Sequence, residues 1–398
     1  MVEEDLEDER KRRLCAARRV VVKLGTNVVT GGGDQVCVER IEPLVAALAR
    51  LKSDGRQLVL VSSGAVGLGA GRLGLHRSRL KELVVRQACA AVGQSLLMNA
   101  YEQLFQAHGV SIAQVLLTEE DFTDWRRYTN LRRTMEKLLK LNVLPIVNEN
   151  DTVSTAELEY VQPGPERIFG DNDRLAALVM SKLEADTLVL LTNVDGLLKR
   201  GEKGLAAGTA SDERMVVPLV EEITAELRME ATGPSAGGRG GMLSKLDAAQ
   251  IAMRAGGTAV IANGTQPGIL ESIFAGERVG TTFISTLRMA GKRRWIAYAA
   301  GVRGRLIVNA GAREALMKGK ASLLSTGVVQ VEEQFEPQDV VRIADTEGRE
   351  FARGIINCAS AEVLKAIESE REASAGKDAR STRARVLVIR DNIVLLEK

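Results

Sequence analysis

The chain is almost without histidine: His76 and His108 are the only two in 398 residues. Histidine is the side chain best suited to moving protons near neutral pH, so its scarcity argues against imidazole acid–base catalysis. Cysteine is nearly as sparse. Cys15, Cys37, Cys89 and Cys358 stand far apart and form no C-x-x-C pair. That argues against a zinc site or a disulfide scaffold and predicts a reducing, cytoplasmic setting. Aromatic residues make up 3% of the chain, too few to interleave with basic side chains as base-stacking platforms do. Neither charge sign dominates: 54 basic against 52 acidic residues leave a net +2, so no global field points to nucleic acid or membrane. No apolar run reaches the ~20 residues of a membrane helix. The opening stretch, MVEEDLEDERKRRL, is charged and has no apolar centre, unlike a secretory leader. Residues 1–17 are expected to be a charged tail or the start of a helix.

What is present is a repeating texture. The chain is 45% apolar, enough for a sizeable core, and its length suits two domains. From Arg19 to Ser285, short β-rich runs (RVVVKLG, QLVLVSSG, SIAQVLL, NVLPIVNEN, TLVLLTNVDG, TAVIANG, TTFIST) alternate with helical stretches. Strands apolar on both faces and separated by helices predict a mainly parallel sheet between two helical layers, an α/β fold of three αβα layers. Residues 18–290 are read as this domain and 291–302 as a linker. Beyond Arg303 the strands shorten and alternate, with turn signals at TEG and RDN. Residues 303–398 are therefore expected to form a small β-rich domain. Its polar segment 368–384 is expected to be a flexible loop.

In such a sheet, ligands bind beyond the C-terminal strand ends, and the unusual residues cluster there. Lys23 closes the first strand, before Gly25 and Thr26. Ser62, Ser63 and a run of glycines follow the second, and NEND places Asn148 to Asp151 after another. GGRGGMLSKLDAAQ leads into a helix with Lys245 in its first turn. Each feature alone is ordinary: a solvated lysine, a packing glycine, a polar turn. Their convergence on one edge argues for a site. The stretch GAGRLG matches G-x-G-x-x-G, but it follows SSGAVGL and no acid lies ~20 residues on, so the dinucleotide reading is rejected. No G-x-x-x-x-G-K-[ST] occurs either.

Two lysines, glycine loops and acids without histidine suit phosphoryl transfer, where catalysis is positioning plus cationic stabilisation of spreading negative charge. Lys23 and Lys245 could flank that charge, and Asp173 could orient both. In GDND, Asp171 is the expected helix cap, leaving Asn172 and Asp173 to face the crevice.

These segments together resemble the glutamate 5-kinase branch of the amino acid kinase family. The resemblance is carried by VVKLGTNVVT, VLVSSGAVGLG, VNENDTV, FGDNDRLAALVM, LLTNVDGL and GGMLSKLDAA, in that order. The region after about residue 303 resembles a PUA domain. The resemblance implies ATP and Mg²⁺-dependent phosphorylation of the γ-carboxylate of L-glutamate, opening proline biosynthesis. It implies Lys23, Asp173 and Lys245 as catalytic residues, and Ser63, Asp151 and Asn172 as glutamate-holding ones. For ATP it implies Lys23, Thr192, Asn193 and the loop Arg239, Gly240, Gly241, Met242, Leu243, Ser244 and Lys245. No protein metal site is implied, since Mg²⁺ travels on the nucleotide phosphates. Proline as inhibitor, a dimer or tetramer, and a glutamyl phosphate reductase as partner are further implications. Two positions depart from the family pattern: Asn193 stands where Asp is common, and Arg239 where Thr is.

The chemistry agrees with this resemblance. Asp151 suits an ammonium, while Ser63, Asn172 and backbone amides suit carboxylates. The acceptor carboxylate is already ionised at neutral pH, so no general base is required. The alternatives are a kinase acting on acetylglutamate, aspartate or UMP, a fusion to a reductase, and RNA binding by the second domain. NEND argues against the first, and ~110 residues are too few for the second. Arg303, Arg305, Lys318 and Lys320 are compatible with the third but equally with a solvated surface.

Overall fold

The computed structural model describes residues 2–118, 120–153, 172–200, 214–231, 241–284, 296–297, 302–319, 321–374 and 385–396. They divide into two compact units, 1–121 with 128–289 and 122–127 with 290–398.

All seven strands expected in the first part of the chain are present. They are β1 (Arg19–Leu24), β2 (Gln57–Ser62), β3 (Ile112–Leu117), β4 (Leu144–Glu149), β5 (Thr187–Thr192), β9 (Thr258–Asn263) and β10 (Thr281–Ile284). The additional β6 (Leu198–Arg200) and β7 (Arg214–Val216) pair antiparallel, and the two-residue β8 (Leu219–Val220) is too short to carry a pattern. Eight strands form one sheet in the order β3-β4-β2-β1-β5-β9-β10-β8. Neighbours are parallel except β9 and β10.

The helices are α1 (Val2–Ala16), α2 (Thr26–Thr30), α3 (Val38–Ser53), α4 (Ala65–Arg72), α5 (Leu83–Gln106), α6 (Glu120–Thr123), α7 (Trp125–Lys140), α8 (Asn172–Leu183), α9 (Ala225–Glu230), α10 (Met242–Arg254) and α11 (Ile269–Phe274). Successive strand side chains point to opposite faces, and β1 shows the consequence. Val20, Val22 and Leu24 join the core built with Leu48 of α3, Leu97 of α5 and Ile273 of α11. Val21 and Lys23 therefore face the other way, where α8 and α10 lie against β1, β5 and β9. Both faces are covered, which is why Val20 to Val22 are fully buried and show no polar alternation.

Helices α4 and α5 touch backbone to backbone. A Cβ on Gly69 would lie 1.8 Å from the carbonyl oxygen of Cys89, and one on Gly93 would lie 1.7 Å from that of Ala65. The GAGRLG stretch thus begins inside α4 as helix packing. No rotamer change relieves a clash with backbone. Gly93→Ala should cost about 3 kcal/mol of stability, at the upper end for overpacking; urea unfolding measures it, and a loss below about 1 kcal/mol would contradict this packing.

Within residues 1–17, expected as a tail or the start of a helix, Val2–Ala16 form the docked helix α1. Arg10 is 3% exposed and donates to the carbonyl oxygens of Gly276 (2.7 Å) and Glu277 (2.9 Å) while pairing with Glu7 at 2.6 Å; Leu14 enters the core. A charged sequence docks here because each nitrogen of its buried guanidinium has an acceptor.

The second unit contains β11 (Val302–Val308), β12 (Leu323–Leu324), β13 (Val328–Glu332), β14 (Val340–Ala344), β15 (Glu350–Ile355), β16 (Val386–Val388) and β17 (Ile393–Leu395). Five of them form a sheet in the order β13-β11-β14-β15-β17, and β12 pairs with β16. Leu306, Val341, Ile343 and Phe351 centre its core. Helix α12 (Ala310–Met317) interrupts the expected strand texture, capped by Asn309, whose side chain accepts from the Ala312 amide at 2.8 Å. The polar segment 368–384, expected as a flexible loop, is instead helical as far as Ser374, the end of α13 (Ser360–Ser374). Val363 and Ile367 of that helix reach the core, and this apolar pair anchors its polar continuation. Residues 375–384, and most of the expected linker 291–302, lie outside the described residues.

Candidate active site

Strands β4, β2, β1 and β5 are consecutive in the sheet and parallel, so their C-terminal ends share one edge. A cavity of about 1300 Å³ opens there. It exceeds the usual ~300–1,000 Å³ of a single small-molecule site, so two co-substrates fit. Lys23, Ser63, Asp151, Asn172, Thr192, Asn193 and Lys245 all line it.

At its floor is an ion cluster. Asp173, in the first turn of α8, is wholly buried. The Nζ of Lys23 lies 2.6 Å from its Oδ1, and the Nζ of Lys245, in the first turn of α10, lies 3.1 Å from its Oδ2. Ser244 Oγ is also 3.1 Å from Oδ2. Burial by itself would push the Asp173 carboxyl up, but the two ammonium groups overcome it and hold the group down, at about 2. One carboxylate between two ammonium groups leaves a net +1, in a setting where ion pairing is little screened. Such a cluster keeps two cations in place for an anion.

Beside it, β2 turns into α4 through Gly64, whose φ of 109° lies in the left-handed region. Glycine adopts that angle without strain. No side chain caps α4, and Gly64 to Gly67 line the cavity. The first amides of an eight-residue helix therefore face the space in which an anionic group would sit.

The remaining expected residues divide. Thr192 donates to Asn193 Oδ1 at 3.3 Å, both at the cavity wall. Gly241 is the N-cap of α10 without a side-chain cap bond. Met242 and Leu243 open that helix but do not line the cavity; Leu243 is 38% exposed. Arg239, Gly240 and the expected cap Asp171 lie outside the described residues. Asn172 was expected to offer its amide N–H to a carboxylate. Instead Nδ2 is engaged within the protein, 2.9 Å from Ser63 Oγ, 3.0 Å from Asn148 Oδ1 and 3.1 Å from the Ser62 carbonyl oxygen. The strand ends crowd this amide with acceptors, which is what turns it inward.

Sequence reasoning missed Gln94 and Tyr101, which lie beneath the wall. Asn148, also at the wall, donates through Nδ2 to Gln94 Oε1 at 2.8 Å. Ser62 Oγ and Tyr101 Oη lie 2.8 Å apart. Gln94 and Tyr101 sit seven residues apart on one face of α5. A polar residue amid the apolar run AAVGQSLL was the only available signal. Among the described residues, no cluster of three His, Cys, Asp or Glu side chains could hold a metal, and no helix is long and apolar enough to cross a membrane.

The chain is similar to known proteins along most of its length. The family model described as "Amino acid kinase family" matches residues 18–263, and that of the PUA domain matches residues 304–373. A protein of Moorella thermoacetica named glutamate 5-kinase is 41% identical over 392 residues, covering 98% of this chain and 99% of the relative. Relatives of the same name come from Myxococcus xanthus (46% identical, 86% of this chain, 87% of the relative) and Cupriavidus taiwanensis (40%, 96% and 99%).

Proposed function

The chain belongs to the amino acid kinase family, and on that premise we propose that it transfers the γ-phosphoryl group of ATP to the side-chain carboxylate of L-glutamate. The products are ADP and L-glutamyl 5-phosphate, whose further use is in proline biosynthesis. The observation that carries this reading is the Lys23–Asp173–Lys245 cluster at the floor of a cavity large enough for both substrates.

In this reaction a γ-carboxylate oxygen bonds to the γ-phosphorus, and the bond from that phosphorus to the β,γ-bridging oxygen breaks. Its electron pair stays with ADP. No proton has to be removed from the nucleophile, so the lack of a histidine base is no obstacle. As charge spreads over the equatorial oxygens, Lys23 and Lys245 supply cations already in place. Asp173 keeps both in position. With its carboxylate committed to two lysines, Asp173 is a poor metal ligand, and Mg²⁺ fits as a passenger on the nucleotide phosphates. There it would neutralise phosphate charge.

Asp151 is assigned to the substrate ammonium. Asp151→Ala should raise the glutamate KM about tenfold or more, consistent with losing a charge-assisted contact, and leave the ATP KM within about twofold. Equal shifts in both constants would contradict the assignment. The function itself is tested by ATP turnover with glutamate, N-acetylglutamate, aspartate and UMP in turn. Glutamate is the expected substrate; turnover of N-acetylglutamate in its place would overturn the reading. The same assay with added proline tests feedback inhibition, and light scattering on the full chain tests assembly as a dimer or tetramer.

A further inference from the structure

We propose that Gln94 is a positioning residue for the acceptor substrate, acting through Asn148 to fix which atom of Asn172 the substrate meets. The proposal rests on the glutamate kinase reading and adds to it a residue that does not touch the cavity. Gln94 is 8% exposed and Asn148 3% exposed, so the contact between them is shielded from water.

The hydrogen bonds run in one direction. Gln94 Oε1 accepts from Asn148 Nδ2 at 2.8 Å. Asn148 Oδ1 in turn accepts from the Glu149 amide at 2.9 Å and from Asn172 Nδ2 at 3.0 Å. Asn172 Nδ2 spreads its two protons over three acceptors. Its Oδ1 makes no hydrogen bond among the described residues, and Asn172 lines the cavity. What Asn172 offers a ligand is therefore a carbonyl acceptor, which matches the ammonium of an amino acid and not its carboxylates.

An asparagine amide has two orientations of nearly equal shape. The acceptor on Gln94 selects one for Asn148. Were Asn148 to turn over, its Nδ2 would face the Glu149 N–H and the Asn172 Nδ2, donor against donor. Without an acceptor at position 94, Asn148 has two choices. It leaves a buried donor unpaired, or it turns and releases Asn172. Either loosens the group that reads the substrate. Gln94 Nε2 is buried and has no hydrogen-bond partner among the described residues, so the acceptor oxygen is the half of this side chain that the network uses.

That asymmetry defines the test. Gln94→Met keeps length and volume but removes the acceptor. It should raise the glutamate KM about tenfold, equivalent to about 1.4 kcal/mol and within the range for one hydrogen bond. kcat and the ATP KM should stay within about twofold. Gln94→Glu keeps an acceptor oxygen whether or not the carboxyl is protonated, and should hold the glutamate KM within about threefold of the native value. Gln94→Asn, one methylene too short to reach Asn148, should behave like Gln94→Met and replaces it if the methionine variant does not fold. A general packing role would instead move both KM values and kcat together and would not be rescued by Glu. Native protein that turns over glutamate, with a Gln94→Met variant of unchanged glutamate KM, overturns this proposal alone. Native protein that does not turn over glutamate removes the functional reading and this proposal with it.

Discussion

Lys245→Ala is expected to lower kcat by a factor on the order of 10² to 10³ while leaving the protein folded. A preorganised donor at an oxygen that gains charge in the transition state contributes roughly 3–4 kcal/mol, and Lys245 Nζ is held at 3.1 Å by a wholly buried carboxylate. The fold should survive because Asp173 keeps Lys23 at 2.6 Å as its counter-ion, so the substitution does not strand a buried charge. Steady-state kinetics with circular dichroism on the same sample checks both halves. The glutamate KM should change little, since Lys245 is assigned to the phosphoryl group. Turnover within tenfold of native would remove Lys245 from the catalytic role.

The second large effect is at Asp173. Asp173→Asn keeps shape and one acceptor oxygen but leaves two buried ammonium groups without an anion between them. Breaking a buried ion pair on one side costs about 3–5 kcal/mol, so stability should fall by about that much, and kcat by about a hundredfold as the lysines separate. Acid adds a signature that simple loss of packing lacks. The folded carboxyl is held at about 2, against 3.8 for an ordinary aspartate. A depressed value means that the stabilisation is complete above 3.8 and is lost as pH falls through about 2. The stability gap between native and variant should therefore be constant near neutrality and shrink between about pH 4 and pH 2. Parallel curves across that range would show that the carboxylate charge is not what Asp173 contributes.

The fold was legible because the strands announce themselves. Runs such as VVV in β1 are apolar on both faces, and only a sheet covered by helices on two sides buries them that way. The same two-residue period that aims Val20 and Val22 into one layer sends Lys23 into the other, so one side of the ion cluster was implicit in the strand assignment. What could not be read was the hydrogen-bond direction around Asn172. A sequence shows an amide but not which of its atoms is occupied, and that depends on Ser62, Ser63 and Asn148 meeting from different strands. The docking of helix α1 was equally hidden. Its charges resemble a solvated tail until the carbonyl oxygens of Gly276 and Glu277, more than 260 positions away, appear beneath Arg10.

The glycine contact between α4 and α5 has a mechanical side. Two helices separated by side chains have rotamers between them that can adjust; two helices in backbone contact have none at the contact. Gly93, which makes that contact, is adjacent to Gln94, which grips the end of β4, while α4 begins at the turn after Ser63. The wall assigned here to the amino acid and the first turn of α4, which lines the same cavity, thus rest on one helix pair. A substitution that wedges α4 from α5 should therefore disturb both together.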